Sequence, residues 1–196
     1  SDVCSSDLVT GIGSETRDFL FSRAGPVIHR TATKLYVVKT AGAGNFRIGD
    51  QFIAMMRATS LAEWKSAMQL RARNTSNFTY ADRAGNILLL WNATLPALPH
   101  PSGGDSVATP ASGSKDVWSR YVPFDSLPMV LNPKGGVVHN ENSSVHFTDV
   151  AGPFDTTNAY PNFERPSLSL RSQLAIQLIN DSAKDRKSTR LNSSHI

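Results

Sequence analysis

The stretch TSNFTYADRAGNILLLWN, beginning at Thr75, constrains the fold of this chain more than any other segment. Phe78, Tyr80 and the run Ile87–Trp91 favour extended backbone, and Arg83-Ala84-Gly85-Asn86 between them is turn chemistry. A β-hairpin is therefore expected here. One residue in it raises a functional question. Asn77, near the start of the first arm, either caps a strand or belongs to a site.

The two ends of the chain stand apart. One codon choice for DRKSTRL, followed by a single A, is GAT CGG AAG AGC ACA CGT CTG A. Its reverse complement translates to SDVCSSD, which is how the chain begins. Two unrelated protein ends are not expected to be encoded by complementary strands of one oligonucleotide, and both strings resemble a translated sequencing adapter. Ser1–Leu8 and Asp185–Ile196 are therefore read as extraneous to the fold, leaving Val9–Lys184 as one partial domain. Setting the ends aside also removes Cys4, the single cysteine. Without it no disulfide framework and no thiol metal site can be built.

The remaining segment is long enough for one domain with a real core. No apolar run approaches the roughly 20 residues that cross a bilayer. The net charge is +4, and the ends excluded above carry as many positive as negative charges. Lys and Arg are scattered without a run, so nucleic-acid binding is not expected and the basic residues read as a solvated surface.

The first third reads as short strands: DFLFSR, GPVIH and KLYVVKT, separated by Gly, Pro or Thr. Two helices follow. Asp50 is expected to cap QFIAMMRAT, with Phe52, Ile53 and Met56 on its inner face. Ser60 and Glu63 form an S-x-x-E capping box for SLAEWKSAMQL, whose stripe is Leu61, Trp64, Met68 and either Ala67 or Leu70. After the hairpin, Leu95–Ser114 is a Pro-, Gly- and Ser-rich surface loop. A β-type segment with Trp118, Tyr121 and Phe124 is expected next. LNPKGGVVHNENSS reads as a turn, a short strand and a polar, Asn-rich loop. Thr148–Pro166 is irregular, and SLSLRSQLAIQLIND is a helix expected to pack one face.

Spacing alone offers little chemistry. His29, His100, His139 and His146 are scattered, and His139 and His146 straddle a loop at poor metal-ligand spacing. Asp149, Asp155 and Asp181 do not cluster. There is no G-x-S-x-G, phosphate loop or H-E-x-x-H. These residues define only a mixed α/β domain.

Order and spacing of longer motifs say more. Asn77, Tyr80, Ala81, Asp82, Gly85, Asn86 and Ile87 fit N-x-x-Y-A-D-x-x-G-N-I. Pro96, Trp118, Pro123, Phe124, Leu127, Pro128, Asn132, Pro133 and Gly136 continue it. Gly25 and Pro26 lie in RAGPVI, and RATSLAEWKSAM precedes the hairpin. Together these resemble the β-subunit of the penicillin acylase family, which includes acyl-homoserine lactone acylases and belongs to the N-terminal nucleophile hydrolases. The resemblance implies an α+β fold, part of a four-layer αββα arrangement with antiparallel sheets.

It also implies a chemistry. Such enzymes use an N-terminal Ser freed by autoproteolysis, whose own α-amino group serves as base. The resemblance places that Ser upstream of this chain, so neither nucleophile nor base is assigned here and the chain alone is expected to be inactive. Asn77 is implied as the oxyanion-hole side chain, with Asp82, Asn140 and Asn142 as second-rank support and Asn86 at the turn. Two departures stand out: Leu98 or His100 occupies the place of a family Arg, and Arg120 that of a Gly. The expected partners are an N-acylated small-molecule substrate and an α-subunit cut from the same precursor, in a periplasmic or secreted enzyme. No cofactor is required; the resemblance allows a structural calcium. Two other readings compete: a non-catalytic binding module that keeps the scaffold, and a small secreted β-rich binding domain.

Overall fold

A computed structural model of the chain describes residues 16–98, 108–157, 159–160 and 163–192, so Cys4 and His100 lie outside the described residues. It holds two three-stranded antiparallel sheets and three helices, the α+β class expected. The chain divides into two units, residues 1–40 and 41–196.

The first unit is a meander of β1 (Phe21–Ser22), β2 (Gly25–Arg30) and β3 (Leu35–Val37), the three strands expected. Its β1–β2 turn depends on glycine. Gly25 has φ +135°, and a Cβ there would collide with the Val38 carbonyl oxygen.

The second unit opens with α1 (Ile48–Arg57) and α2 (Leu61–Met68). Helix α1 begins two residues before Asp50, with Arg47 at the cap position. Asp50 therefore does not cap it. It sits in the first turn, where a carboxylate meets the positive end of the helix dipole, and accepts from Arg47 Nε at 3.1 Å. The inner face also differs from expectation. Phe52, Ile53 and Met56 are 41%, 46% and 78% exposed, whereas Gln51 is fully buried. Gln51 turns inward because its Oε1 accepts from the backbone N–H groups of Ala72 and Arg73 at 2.8 and 3.0 Å. Its Nε2 reaches Met68 Sδ at 3.6 Å. A latch between α1 and the segment after α2 thus outweighs apolar periodicity. Gln51→Leu, which strands those two donors, is expected to lower stability by about 1–3 kcal/mol. The urea midpoint would show it; an unchanged midpoint would mean that the N–H groups find other acceptors.

Helix α2 forms as expected. Ser60 Oγ accepts from Glu63 N at 3.3 Å, while Glu63 Oε2 accepts from Thr59 N and Thr59 Oγ1 at 2.7 and 2.9 Å. The reciprocal bond therefore goes mainly to the residue before the cap. Trp64, Ala67 and Met68 are buried, so Ala67 rather than half-buried Leu70 completes the stripe.

The hairpin is β4 (Thr75–Ala81) and β5 (Ile87–Ala93), and β6 (Met129–Leu131) adds to β5 in the order β4-β5-β6. Opposed residues share a face of an antiparallel pair, and the face alternates along each strand. Phe78 opposes Leu90 and Tyr80 opposes Leu88. That face meets the helices: the Trp64 and Tyr80 rings are 5.2 Å apart, and Phe52 and Phe78 6.2 Å. Trp64, Met68, Leu88, Leu90, Val122, Phe124 and Leu127 form the core. Asn77 opposes Trp91, which places it on the other face.

The hairpin turn is locked by side chains. Gly85 takes φ +89°. Asp82 accepts from Asn86 N at 2.9 Å, Asn86 Nδ2 at 2.8 Å and Tyr80 OH at 3.0 Å. These bonds, those from Asn86 foremost, hold the Asp82 carboxyl below its usual range. Asn132, just past β6, donates to Asn86 Oδ1 at 3.1 Å and accepts from Ile87 N at 2.9 Å, tying the third strand in.

Two expectations downstream are corrected. Around Trp118–Phe124 there is no strand, only 3-10 turns at Ser114–Asp116 and Phe124–Ser126 and an isolated Pro96–Tyr121 bridge. Pro123 has no N–H to offer a ladder. The short strand near Asn132 precedes the turn as β6, and Val137–Val138 is not extended into a sheet. Helix α3 (Leu170–Asn192) forms and runs past Asp185, but Leu170, Leu174 and Leu178 are 82%, 55% and 58% exposed. The opposite face is the shielded one, as expected of a helix that packs one side: Ser172, bonded to Ser169, is buried, and Ala175, Ile176 and Ile179 at i+3, i+4 and i+7 are half-buried.

Candidate active site

On the outer face of β4, Asn77 meets the Asn-rich loop 139–144. Its Nδ2 donates to Asn140 Oδ1 at 3.0 Å and to the Ser143 carbonyl at 3.2 Å. Asn140 is itself fixed, since its Nδ2 donates to Ser143 O at 2.9 Å and its Oδ1 accepts from Asn142 N at 3.0 Å. The orientation of both amides follows, because flipping either would set oxygen against oxygen. Both hydrogens of the Asn77 amide are thus committed, and its Oδ1 is buried without a partner among the described residues.

This network throws Asn142 outward. Asn142 takes the left-handed conformation, φ +58°, a region that Asn tolerates better than most residues. It is exposed, and its side-chain amide makes no hydrogen bond among the described residues. The loop is held from below as well. His139 Nδ1 lies 2.9 Å from Glu141 Oε1, and Arg171 at the start of α3 donates to the Glu141 carbonyl.

Arg73, Thr75, Ser76, Asn77, Trp91, Asn142, Ser143, Ser144 and Glu164 line a cleft of about 350 Å³ at this loop. Asn77 and Asn142 share this cleft, and Asn140 buttresses it. Asp82 and Asn86 do not line it; they act at the hairpin turn. The cleft residues Arg73 and Glu164 carried no motif in the sequence. Their nearness depends on a Gln51 latch and on the irregular 148–166 segment, neither of which leaves a periodic signal.

Behind the cleft, Ser144 caps the 3-10 turn Val145–Phe147 and bonds His146 Nδ1. His146 is 2% exposed, with its ring 5.1 Å from Phe163. Burial lowers its pKa from the usual 6.5, and the nearby Glu164 carboxylate works in the opposite direction. A neutral folded His and an unfolded His titrating near 6.5 mean that the unfolded state binds more protons below that pH. The stability it contributes is intact above about pH 6.5 and falls as pH drops through the unfolded value toward the lowered folded one. His146→Gln is expected to flatten the acid side of a urea-midpoint profile as pH falls through about 6.5, the unfolded value. An unaltered profile would remove His146 as its source.

The other sequence candidates are structural. Exposed His29 sits 5.5 Å from the Tyr36 ring. Asp149 accepts from Gly135 N and Ala151 N at 3.2 and 2.9 Å, and Asp155 from Thr157 N at 2.9 Å. Among the described residues no group of three or more His, Cys, Asp or Glu could hold a metal ion. No described helix is long and apolar enough to cross a membrane.

Residues 8–195 match the family model described as penicillin amidase. Over 90 residues, 45% of this chain, the sequence is 34% identical to penicillin G acylase of Escherichia coli, and the match spans 10% of that protein. A solved structure of a thermostable penicillin G acylase from Alcaligenes faecalis superposes with TM-score 0.64 at 20% identity. It covers 89% of this chain and 30% of that one. At that identity the structural match speaks to the fold.

Proposed function

The chain belongs to the penicillin amidase family, and from that premise we propose that it is part of an acylase that hydrolyses the amide of an N-acylated small molecule. The observation that carries this reading is the polar cleft lined by Asn142, whose backbone N–H is held by Asn140 (itself bonded to Asn77) and whose side-chain amide makes no hydrogen bond among the described residues. Attack on an amide carbonyl develops negative charge on oxygen, and a donor fixed in advance stabilises it without reorganisation. Asn142 is the donor. Asn77, implied by family resemblance as the oxyanion residue, here spends both N–H groups on the loop, so it acts by positioning Asn142.

The nucleophile of this reading is an N-terminal Ser with its α-amino group as base, supplied from outside Val9–Lys184. Ser144 is not a substitute, because its hydroxyl caps a turn and is bonded to a buried His146. The described residues also leave the acyl chain unassigned. An α-subunit cut from the same precursor and an extracytoplasmic location belong to the same proposal.

The test is amine release from a panel of N-acylated substrates by the full-length protein. Turnover that disappears when the new N-terminal Ser is replaced by Ala supports the reading. A processing site without Ser, Thr or Cys, or no turnover of any amide, overturns it and favours a binding module on the same scaffold. The chain Ser1–Ile196 by itself is expected to show no amidase activity.

A further inference from the structure

We propose that Asn142–Ser143 is a site of covalent modification, where the Asn142 amide deamidates through a succinimide ahead of the other described asparagines and so removes the donor from the cleft. The modification follows from the loop itself; its consequence for turnover rests on the amidase reading of Asn142.

Asparagine is thermolabile because its side-chain carbonyl lies within reach of the backbone nitrogen that follows it. The Ser143 nitrogen, its proton taken by hydroxide, attacks Asn142 Cγ. A new C–N bond closes a cyclic imide, and the side-chain nitrogen takes a proton from water and leaves as ammonia. Water then opens the imide at either carbonyl, giving aspartate or isoaspartate. The net change is one water consumed and one ammonia released, with no oxidant or reductant.

The loop leaves this path open. Asn142 is exposed, and its side-chain amide makes no hydrogen bond among the described residues. The Ser143 N–H makes none among them either, and an unbranched side chain leaves that nitrogen uncrowded. The loop's bonds fall on either side of it: Asn142 N donates to Asn140 Oδ1 at 3.0 Å, and the Ser143 carbonyl accepts from Asn77 and Asn140 at 3.2 and 2.9 Å.

Elsewhere the path is shut. Asn45 and Asn74 donate to the carbonyls of Leu70 and Ala41 at 2.9 and 3.0 Å, and Asn92 is fully buried. Pro133, after Asn132, has no N–H to lose. The Ile87 N–H, after Asn86, is held by Asn132 Oδ1 at 2.9 Å. Asn180 lies within α3, where the next N–H belongs to the helical ladder. An amide that must first break one hydrogen bond closes its ring about tenfold more slowly. At Asn142, either product replaces an N–H donor with a carboxylate, which repels an oxyanion. Isoaspartate also reroutes the backbone through the side chain and displaces Ser143 from Asn77.

The experiment incubates the full-length protein at mildly alkaline pH in heavy-oxygen water, with peptide mapping by mass spectrometry and turnover read on the same samples. Asn142 is expected to deamidate about tenfold faster than Asn45 or Asn74. Both products should form, each carrying heavy oxygen. Ser143→Val, whose branched side chain crowds the nitrogen, is expected to slow the reaction. In urea, where the bonds on Asn45 and Asn74 are gone, the rate ratio is expected to shrink. Equal rates at the three asparagines, aspartate without isoaspartate, an unchanged rate in Ser143→Val, or a ratio unchanged in urea overturns the inference. Turnover is expected to fall in step with the modified fraction, toward that of Asn142→Asp. Modification with turnover intact overturns the consequence, and with it Asn142 as donor. The mapping is read without any turnover, so its failure is separate from that of the amidase reading.

Discussion

Asn142→Ala, made in the intact enzyme, is expected to lower kcat by about 10²–10³-fold and to leave KM nearly unchanged. A donor aimed at the developing oxyanion acts in the transition state more than in the ground state, so its loss appears in kcat. The corresponding barrier increase is about 3–4 kcal/mol. The fold should survive with a small stability cost, because Asn142 is exposed and its side chain bonds to nothing among the described residues, while Ala fits its left-handed φ of +58° less well than Asn. The check is steady-state kinetics beside a urea midpoint. A loss of activity matched by a loss of stability would assign Asn142 to the loop's structure. A kcat within a few-fold of wild type would remove it from the chemistry. Asn142→Asp is the sharper companion, since a carboxylate has no N–H and would set like charge against the oxyanion.

The second large effect lies in the core. Leu90→Ala is expected to destabilise the protein by about 2–5 kcal/mol, the range for a buried Leu whose surroundings relax only in part. Leu90 is fully buried on β5, the central strand, facing the α2 side. Both neighbouring strands clamp it: it pairs with Phe78 on β4 and with Met129 on β6. A strand held on two sides cannot shift inward to fill a void, so the larger part of the range applies. Leu131, 45% exposed on the edge strand, is the control, and its Ala variant should change stability far less. Thermal or urea unfolding measures both. Equal losses at the two positions would contradict the layer order described.

The hairpin could be read from the sequence because its information is local. Alternation at Phe78 and Tyr80 and a glycine-bearing turn specify two strands, and that alternation also sets Asn77 on the face away from the helices. Helix α2 was legible for the same reason, through a cap four residues long. Helix α1 was legible in type but not in phase. Gln51 turns inward for two N–H groups 21 and 22 residues away, and no period within the helix records that. Within the site, Asn77, Asn140 and Asn142 were all visible, but not the bonds among them. Which amide is free depends on bonds between Asn77 and a loop 63 residues on. Arg73 and Glu164 were invisible, because a charge at a cleft and a charge in water look alike in a sequence.

The proposed roles of Asn77 as positioner and Asn142 as donor are open to one direct measurement, a double-mutant cycle on kcat between the two in the full-length protein. If Asn77 acts by holding the loop that presents Asn142, each single Ala variant lowers kcat, and the double variant falls no further than Asn142→Ala alone. Losses that multiply would mean that the two amides donate independently, and would contradict the account.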